Sequence, residues 1–313
     1  MVIWVADAGG TNIRVGLLHE NKLCAVEVIP AMANLGLREA VKRVAARWTY
    51  MHRQFSGRQV PATAVGLALP GIVNPVSGRI YATPEAKYDD APSKNVGRLM
   101  AGAGISHAFW CNDAHAALAG EYRFGAARGV KNAIMVTLGT GIGSAVMING
   151  HPLTGEHGLA GNIIGHSTMD VFGARCECGN IGCAELYAST WRLETLVKGM
   201  DGFRKSALAA EGVIDYRNVF RHADHGDSLA MRLVEKSIHV WSAVVCNLIH
   251  QYDPELIVIG GGLAQQHRRL LPAFRAYVQK HSWAKWRIKI RKAALGNNAG
   301  LLGVGALAAE KRN

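Results

Sequence analysis

No apolar run in the 313-residue chain reaches the roughly 20 residues a membrane-spanning helix requires, so no such helix is expected. The start, Met1-Val2-Ile3-Trp4-Val5-Ala6-Asp7, lacks the basic stretch and small-residue cleavage site of a secretory signal. Cysteine is sparse: of six, Cys24, Cys111 and Cys246 are scattered and the other three cluster, which excludes a disulfide framework and predicts a reducing, cytoplasmic setting. Low-complexity segments and solenoid-length repeats are also missing. Acidic residues are short as well, 23 against 35 basic ones, for a net charge of +12. Such a balance first points to nucleic acid. Aromatics make up only 7% of the chain, and no basic-aromatic stripe forms. The basic residues are dispersed, with mild groups at Arg204-Lys205, Arg268-Arg269 and Lys285 to Lys292. A solvated basic surface that attracts ATP and sugar phosphates is expected, without nucleic-acid or membrane partners.

What is present reads as α/β. The length favours two lobes. Ile3 to Ala6 and Ile13 to Leu18 are strands around the turn Asp7-Ala8-Gly9-Gly10-Thr11-Asn12. Ala133 to Thr137 and Ser144 to Ile148 repeat the plan around Leu138-Gly139-Thr140-Gly141-Ile142-Gly143. Helical spacing of apolar residues predicts helices over Leu35 to Phe55, Asp113 to Phe124, Leu229 to Ile249 and Ala299 to Glu310. Ala64 to Leu69 and Leu256 to Ile259 are buried strands, the second running into Gly260-Gly261-Gly262. Glycines between Gly120 and Val130 mark the lobe boundary: an N-terminal small lobe over 1–120, completed by the helix over 297–313, and a large lobe over 121–296.

Three motif groups carry chemistry. His166 is followed by Cys176-Glu177-Cys178-Gly179-Asn180-Ile181-Gly182-Cys183-Ala184-Glu185, and one imidazole with three thiolates suits a closed tetrahedral Zn²⁺. Four protein ligands leave no position for water, so this zinc is structural. The turn from Asp7 to Asn12 offers bare backbone N–H groups to phosphate; Asp7 is placed to hold Mg²⁺ through water and Thr11 to bond a phosphate. No Gly-Lys-Ser/Thr follows, so it is not a Walker loop. Thr137, Gly139, Thr140 and Gly141 form a second phosphate loop, expected to face the first across a cleft. Asn112-Asp113 reads both as a helix N-cap and as a place for a general base.

His-x9-Cys-x-Cys-Gly-x2-Gly-Cys-x-Glu resembles the signature of the ROK family of bacterial sugar kinases and sugar-responsive repressors. The resemblance covers nearly the whole chain and implies the two-lobed sugar kinase/actin-like ATPase (ribonuclease H-like) fold with a cleft between lobes. It implies an ATP- and Mg²⁺-dependent kinase phosphorylating a primary hydroxyl, O6 foremost, of a hexose or N-acetylhexosamine, and a homodimer. Asp113, in Cys111-Asn112-Asp113-Ala114-His115-Ala116, resembles the family's base. Asn112, His166 and Glu185 are implied to hold the sugar, with Gly71 and Thr83 lining its pocket and Gly261 and Gly262 against the adenosine. One departure stands out: the family's Ala-Gly-Glu-x-Gly-His reads here Ala160-Gly161-Asn162-Ile163-Ile164-Gly165-His166. Asn162 takes the Glu's place after the glycine, and one extra residue precedes the His. N-acetylmannosamine kinases of the family also lack this Glu, while Asn149 to Gly158 is similar to allose and glucose kinases. The rival readings are a ROK-type regulator, for which the six residues before Asp7 leave no expected DNA-binding module, and a pseudo-kinase.

Overall fold

Aliphatic runs broken by glycine and asparagine dictate the first sheet. β1 (Val2–Ala8) pairs antiparallel with β2 (Asn12–His19), and β3 (Lys22–Pro30) follows through Glu20 and Asn21, both at positive φ. That is the primed hairpin geometry matching twisted strands. β3 alternates exposed and half-buried residues, as a sheet edge does. α1 (Leu37–Ser56) leads on to β4 (Ala64–Leu69), parallel to β1. A short ribbon of β5 (Ile72–Val73) and β6 (Ile80–Ala82), then α2 (Val96–Gly102), precede β7 (Phe109–Asn112), parallel to β4, and α3 (Asp113–Phe124). The sheet order is β3-β2-β1-β4-β7. The computed structural model describes residues 2–56, 64–84, 87–105, 107–283 and 288–311; Lys285 of the third basic group and the last two residues lie outside them.

The second sheet repeats the plan. β8 (Ala133–Leu138) turns into β9 (Ile142–Ile148) and a short β10 (His151–Pro152). After the cysteine loop come α4 (Glu185–Ala188), α5 (Thr190–Lys198), α6 (Tyr216–Asp224) and the 25-residue α7 (Ser228–Tyr252). β11 (Leu256–Gly260) is parallel to β8, and after α8 (His267–His281), β12 (Lys289–Lys292) is parallel to β11. The order is β10-β9-β8-β11-β12, and α9 (Ala299–Glu310) ends the chain's described elements. No helix among the described residues is long and apolar enough to cross a membrane.

Three readings from the sequence shift. Asp7 lies within β1 opposite Arg14, and only Gly9 to Thr11 make the turn. β9 begins at Ile142, two residues earlier than its apolar run. The first long helix begins at Leu37: Gly36, at φ +85°, closes a preceding 3-10 turn, and Leu37 N–H donates to Asp90 Oδ1 at 2.7 Å. A carboxylate distant in sequence thus caps α1, which helical periodicity cannot show.

The chain divides into two compact units, 1–131 with 145–162 and 294–313, and 132–144 with 163–293. This differs from a single boundary near residue 120, because 145–162 returns to the first unit. His115 Nε2 lies 3.0 Å from Leu153 O, and Asn74 Nδ2 donates to Glu156 O at 2.7 Å. Within the first unit, α9 packs on α3, β1 and β4 with almost no side chain between backbones. A Cβ on Gly303 would lie 1.7 Å from Ala116 O, and one on Gly120 2.3 Å from Ala299 O.

Glu121 ties this unit together. It is fully buried on α3, and its carboxylate accepts from Ala126 N at 2.7 Å, Leu295 N at 2.8 Å and Ala294 N at 3.0 Å. It therefore joins the end of α3 to the point where the chain re-enters the unit. Glu121→Ala would leave three N–H groups on half-buried and exposed residues without this acceptor, at a cost on the order of 1–3 kcal/mol. The urea midpoint is expected to drop clearly; a midpoint equal to wild type would show that the carboxylate contributes nothing.

Candidate active site

In the first unit, β1 delivers Asp7 and the Gly9–Thr11 turn, while the end of β7 delivers Asn112 and Asp113. Gly9 N–H is used on Asn12 O at 3.0 Å, and Gly9 O accepts from the Tyr88 hydroxyl at 3.1 Å. Gly10 and Thr11 N–H lie outside these contacts, where a phosphate oxygen can reach them. Asn112 caps α3: its Oδ1 accepts from Ala114 N at 2.8 Å and His115 N at 3.2 Å, and its Nδ2 donates to Gly71 O at 2.9 Å. The amide is held rigid, and its side chain also hydrogen-bonds to the Asp113 carboxylate. Thr83 Oγ1 donates to Tyr88 O at 3.4 Å, close to Gly71, whose added Cβ would meet Ala82 O.

Asp7 and Asp113 act on each other electrostatically. Burial, then the Asp113 charge, lifts Asp7 to about 7 against the pull of Arg14. Burial likewise raises Asp113, opposed by backbone N–H groups of α3, by Lys87 and by Asn112. Cys111, beside both, is pushed up by burial and then by the two carboxylates. A site of this kind favours a proton or a divalent cation between the acids, and it keeps a base that can accept a proton near neutral pH. Asn162, carried by the same unit, is buried; its Nδ2 donates to Gly158 O at 2.7 Å, while its Oδ1 has no hydrogen-bond partner.

In the second unit, β8 and β11 end side by side, which brings two glycine turns together. Gly139 lies against Gly262, and Gly261, at φ +79°, fits its bare α-carbon against the Leu138 backbone. The N-terminus of α5 pins the first turn: Gly139 O accepts from Thr190 Oγ1 at 2.7 Å, and Thr140 O from Trp191 N at 3.1 Å. Gly139 N–H is taken by Gly141 O, which leaves Thr140 and Gly141 as the outlying donors. Thr137 Oγ1 faces Gly143, where a Cβ would lie 2.5 Å away. Glu185 opens α4 and braces the same turn: Oε1 accepts from Ile142 N at 2.6 Å and Oε2 from the Trp191 indole at 2.8 Å. A lone pair on each oxygen remains for a further donor.

Immediately before Glu185, His166, Cys176, Cys178 and Cys183 bring one ligand atom each within 4.8 Å of one another. Cys178 Sγ and Cys183 Sγ are 3.6 Å apart, and Cys176 Sγ is 3.8 Å from His166 Nδ1. Zinc–sulfur bonds of about 2.3 Å give tetrahedral edges of about 3.8 Å, so the donor set fits a closed zinc site. Burial raises the Cys176 and Cys183 thiols, holding them neutral until a cation displaces their protons. Gly182, at φ +61° against Asp170 O, permits the turn back, and Asn180 Nδ2 clamps His166 O at 2.8 Å. With Nδ1 turned to the thiols, Nε2 of His166 is the nitrogen left for a hydroxyl.

Each residue singled out in the sequence falls into one of three groups: Asp7, Gly9 to Asn12, Gly71, Thr83, Asn112, Asp113 and Asn162 in the first unit; Thr137, Gly139 to Gly141, Glu185, Gly261 and Gly262 in the second; and the Cys₃His cluster. Arg14, Lys87, Tyr88 and Trp191, which hold the loops and acids in place, escaped notice. Lone residues outside a motif give no signal of their own.

Two outcomes follow. Purified protein should carry about one zinc per chain by elemental analysis, and Cys183→Ser should lose it and melt at a lower temperature; metal-free protein with an unchanged melt would remove the zinc centre. Without Mg²⁺, Asp7 binds a proton more tightly folded than unfolded, so its contribution to stability is full below about pH 4 and is lost as pH rises through about 7. Asp7→Asn should flatten that slope in urea unfolding between pH 5 and 8; an identical slope would place the titration elsewhere.

Known proteins share this plan. The model of the ROK family matches residues 4–311. A glucokinase from Halalkalibacterium halodurans is 33% identical over 319 residues, covering 98% of this chain and 94% of the relative. The crystal structure of a ROK hexokinase from Thermus thermophilus is 31% identical, covers 100% of this chain and 99% of its own, and superposes with a TM-score of 0.78. A ROK family glucokinase from Streptomyces griseus, solved with glucose and AMPPNP, has the same fold at 24% identity, a TM-score of 0.79 and coverage of 99% of this chain and 100% of its own. With residues 4–311 matched by the family model and a relative 33% identical over nearly the full length, the chain belongs to the ROK family.

Proposed function

We propose that the protein is an ATP-dependent sugar kinase that phosphorylates a primary hydroxyl, O6 foremost, of a hexose or N-acetylhexosamine. The observation that carries this reading is Asp113: a half-buried carboxylate, its pKa raised by desolvation, at the N-terminus of α3, in the unit that also presents Asp7 and the Gly9–Thr11 turn. The sugar hydroxyl oxygen bonds to the γ-phosphorus while the bond to the β–γ bridging oxygen breaks, its electron pair leaving with ADP. Asp113 takes the hydroxyl proton. Asp7 would hold Mg²⁺ through water, and the ion supplies charge neutralisation to the phosphates. Gly9, Gly10, Thr11 and Asn12 of the first unit are phosphate-binding residues in this reading, as are Thr137, Gly139, Thr140 and Gly141 of the second, where Gly261 and Gly262 serve the adenosine.

Asn112, Gly71, Thr83 and Asn162 are sugar-binding residues of the first unit in this reading, and His166 and Glu185 are sugar-binding residues of the second. Structural zinc fixes the loop that presents Glu185. Family membership supports a homodimer as part of this reading, and six free cysteines suit a reducing cytoplasm. A second reading, sugar or nucleotide binding without turnover, rests on Asn162, whose amide replaces the family carboxylate and whose Oδ1 is unpaired.

An ADP-release assay against glucose, mannose, fructose, allose, N-acetylglucosamine and N-acetylmannosamine tests the proposal; one sugar should give sustained turnover. Asp113→Asn should lower kcat by about 10²- to 10⁴-fold, with sugar binding by calorimetry retained. Silence across the panel would favour the binding reading, and near-wild-type turnover by Asp113→Asn would remove the base.

A further inference from the structure

Lys87 belongs to none of the motifs, yet its side chain lies on the phosphate turn. A Cβ on Gly10 would come within 2.3 Å of Lys87 Cδ and 2.4 Å of Cε. The stem therefore runs over the α-carbon that glycine leaves bare, and Nζ stands one bond beyond Cε. Its neighbour Tyr88 fixes this placement. Tyr88 is buried, holds φ +58°, and donates its hydroxyl to Gly9 O at 3.1 Å, while its own N–H donates to Ala33 O at 3.3 Å. The loop is thus fastened to the very turn that Lys87 crosses.

The charge of Lys87 also reaches Asp113, drawing its carboxyl down against the larger rise that burial imposes. The other groups acting on this pair are Asp7, Arg14 and Cys111: Arg14 stands opposite Asp7 on β2, and Cys111 lies beside both acids. Two carboxylates and an incoming triphosphate make a strongly negative site. Arg14 offsets Asp7, which among the described residues leaves Lys87 as the cation acting on Asp113 and lying on the Gly10 turn.

We propose that Lys87 is a further working residue of this site, a cation laid along Gly10 that contacts the transferring phosphoryl group and stands next to the base. The inference rests on the kinase reading for its catalytic part. In the transfer step Lys87 gives up no proton; its ammonium balances charge on the phosphoryl oxygens as the bond to the bridging oxygen breaks. The gap it fills is specific to a compact ammonium or a guanidinium on a long stem. Methionine keeps the stem over Gly10 and removes only the charge.

The test compares wild type, Lys87→Met and Lys87→Arg in two measurements. The first is calorimetric binding of Mg²⁺-AMPPNP and of AMP, which needs no turnover. The second is kcat and KM with the sugar that wild type phosphorylates. Lys87→Met should bind AMPPNP at least fivefold more weakly or lose at least tenfold in kcat, with AMP affinity and sugar KM within about twofold of wild type. Lys87→Arg should recover most of either loss. A Lys87→Met protein with wild-type AMPPNP affinity and kcat overturns the proposal, as does a loss that arginine does not restore. If wild type binds AMPPNP but phosphorylates no sugar, the kinase reading fails while the AMPPNP comparison still decides the role of Lys87.

Discussion

The close approach of α9 to α3 and to the first sheet is the constraint on which the candidate site depends. Glycine is required where these backbones touch. Gly303 meets Ala116 O, Gly120 meets Ala299 O, and Gly66 on β4 meets Val304 O. The N-terminus of α9 completes the contact, since a Cβ on Gly300 would lie 2.3 Å from Asp7 Oδ2. Larger residues would push the helices apart, and buried cores yield to such overpacking only at a cost of about 1–3 kcal/mol. Asp7 and Asp113, both half-buried, are thereby drawn away from water, which raises both pKa values, and the Asp113 charge adds to the rise at Asp7. The chemistry of the pair is a consequence of packing that contains no catalytic residue.

A second line of dependence runs through the other unit. The Cys₃His cluster sets the turn before α4, α4 begins at Glu185, and Glu185 holds Ile142 N and the Trp191 indole. Trp191 N and Thr190 Oγ1 in turn fasten the Gly139–Thr140 carbonyls. The Cys₃His cluster thus reaches the Gly139–Thr140 turn through one carboxylate and the first residues of α5.

Much of this was legible in the residues themselves. The Cys and His spacing marks the metal cluster because so few other chemistries need those residue types so close together. Aliphatic runs ending in glycine turns marked β1, β4, β8 and β11, and Asn112-Asp113 marked both a cap and an acid at the head of α3. Contacts between segments far apart in sequence were not legible. Asp90 capping α1, Glu121 collecting N–H groups from Ala294 and Leu295, and Leu153 returning to His115 depend on where distant chain segments meet. Lys87 is the sharpest case, because a single lysine in a loop carries no pattern until the bare α-carbon of Gly10 lies beneath it. The Asn162 departure was visible at once, but its unpaired, enclosed Oδ1 was not.

The central claim is that packing confines two carboxylates so closely that they cannot both behave as ordinary aspartates. Carbon-13 NMR titration of the aspartate carboxyls in the metal-free protein, with Asp7→Asn and Asp113→Asn for assignment, measures this directly. The account predicts a carboxyl of the pair titrating near pH 7, with its midpoint shifting when the partner is neutralised. Every aspartate titrating below about pH 5, unaffected by either substitution, would contradict it.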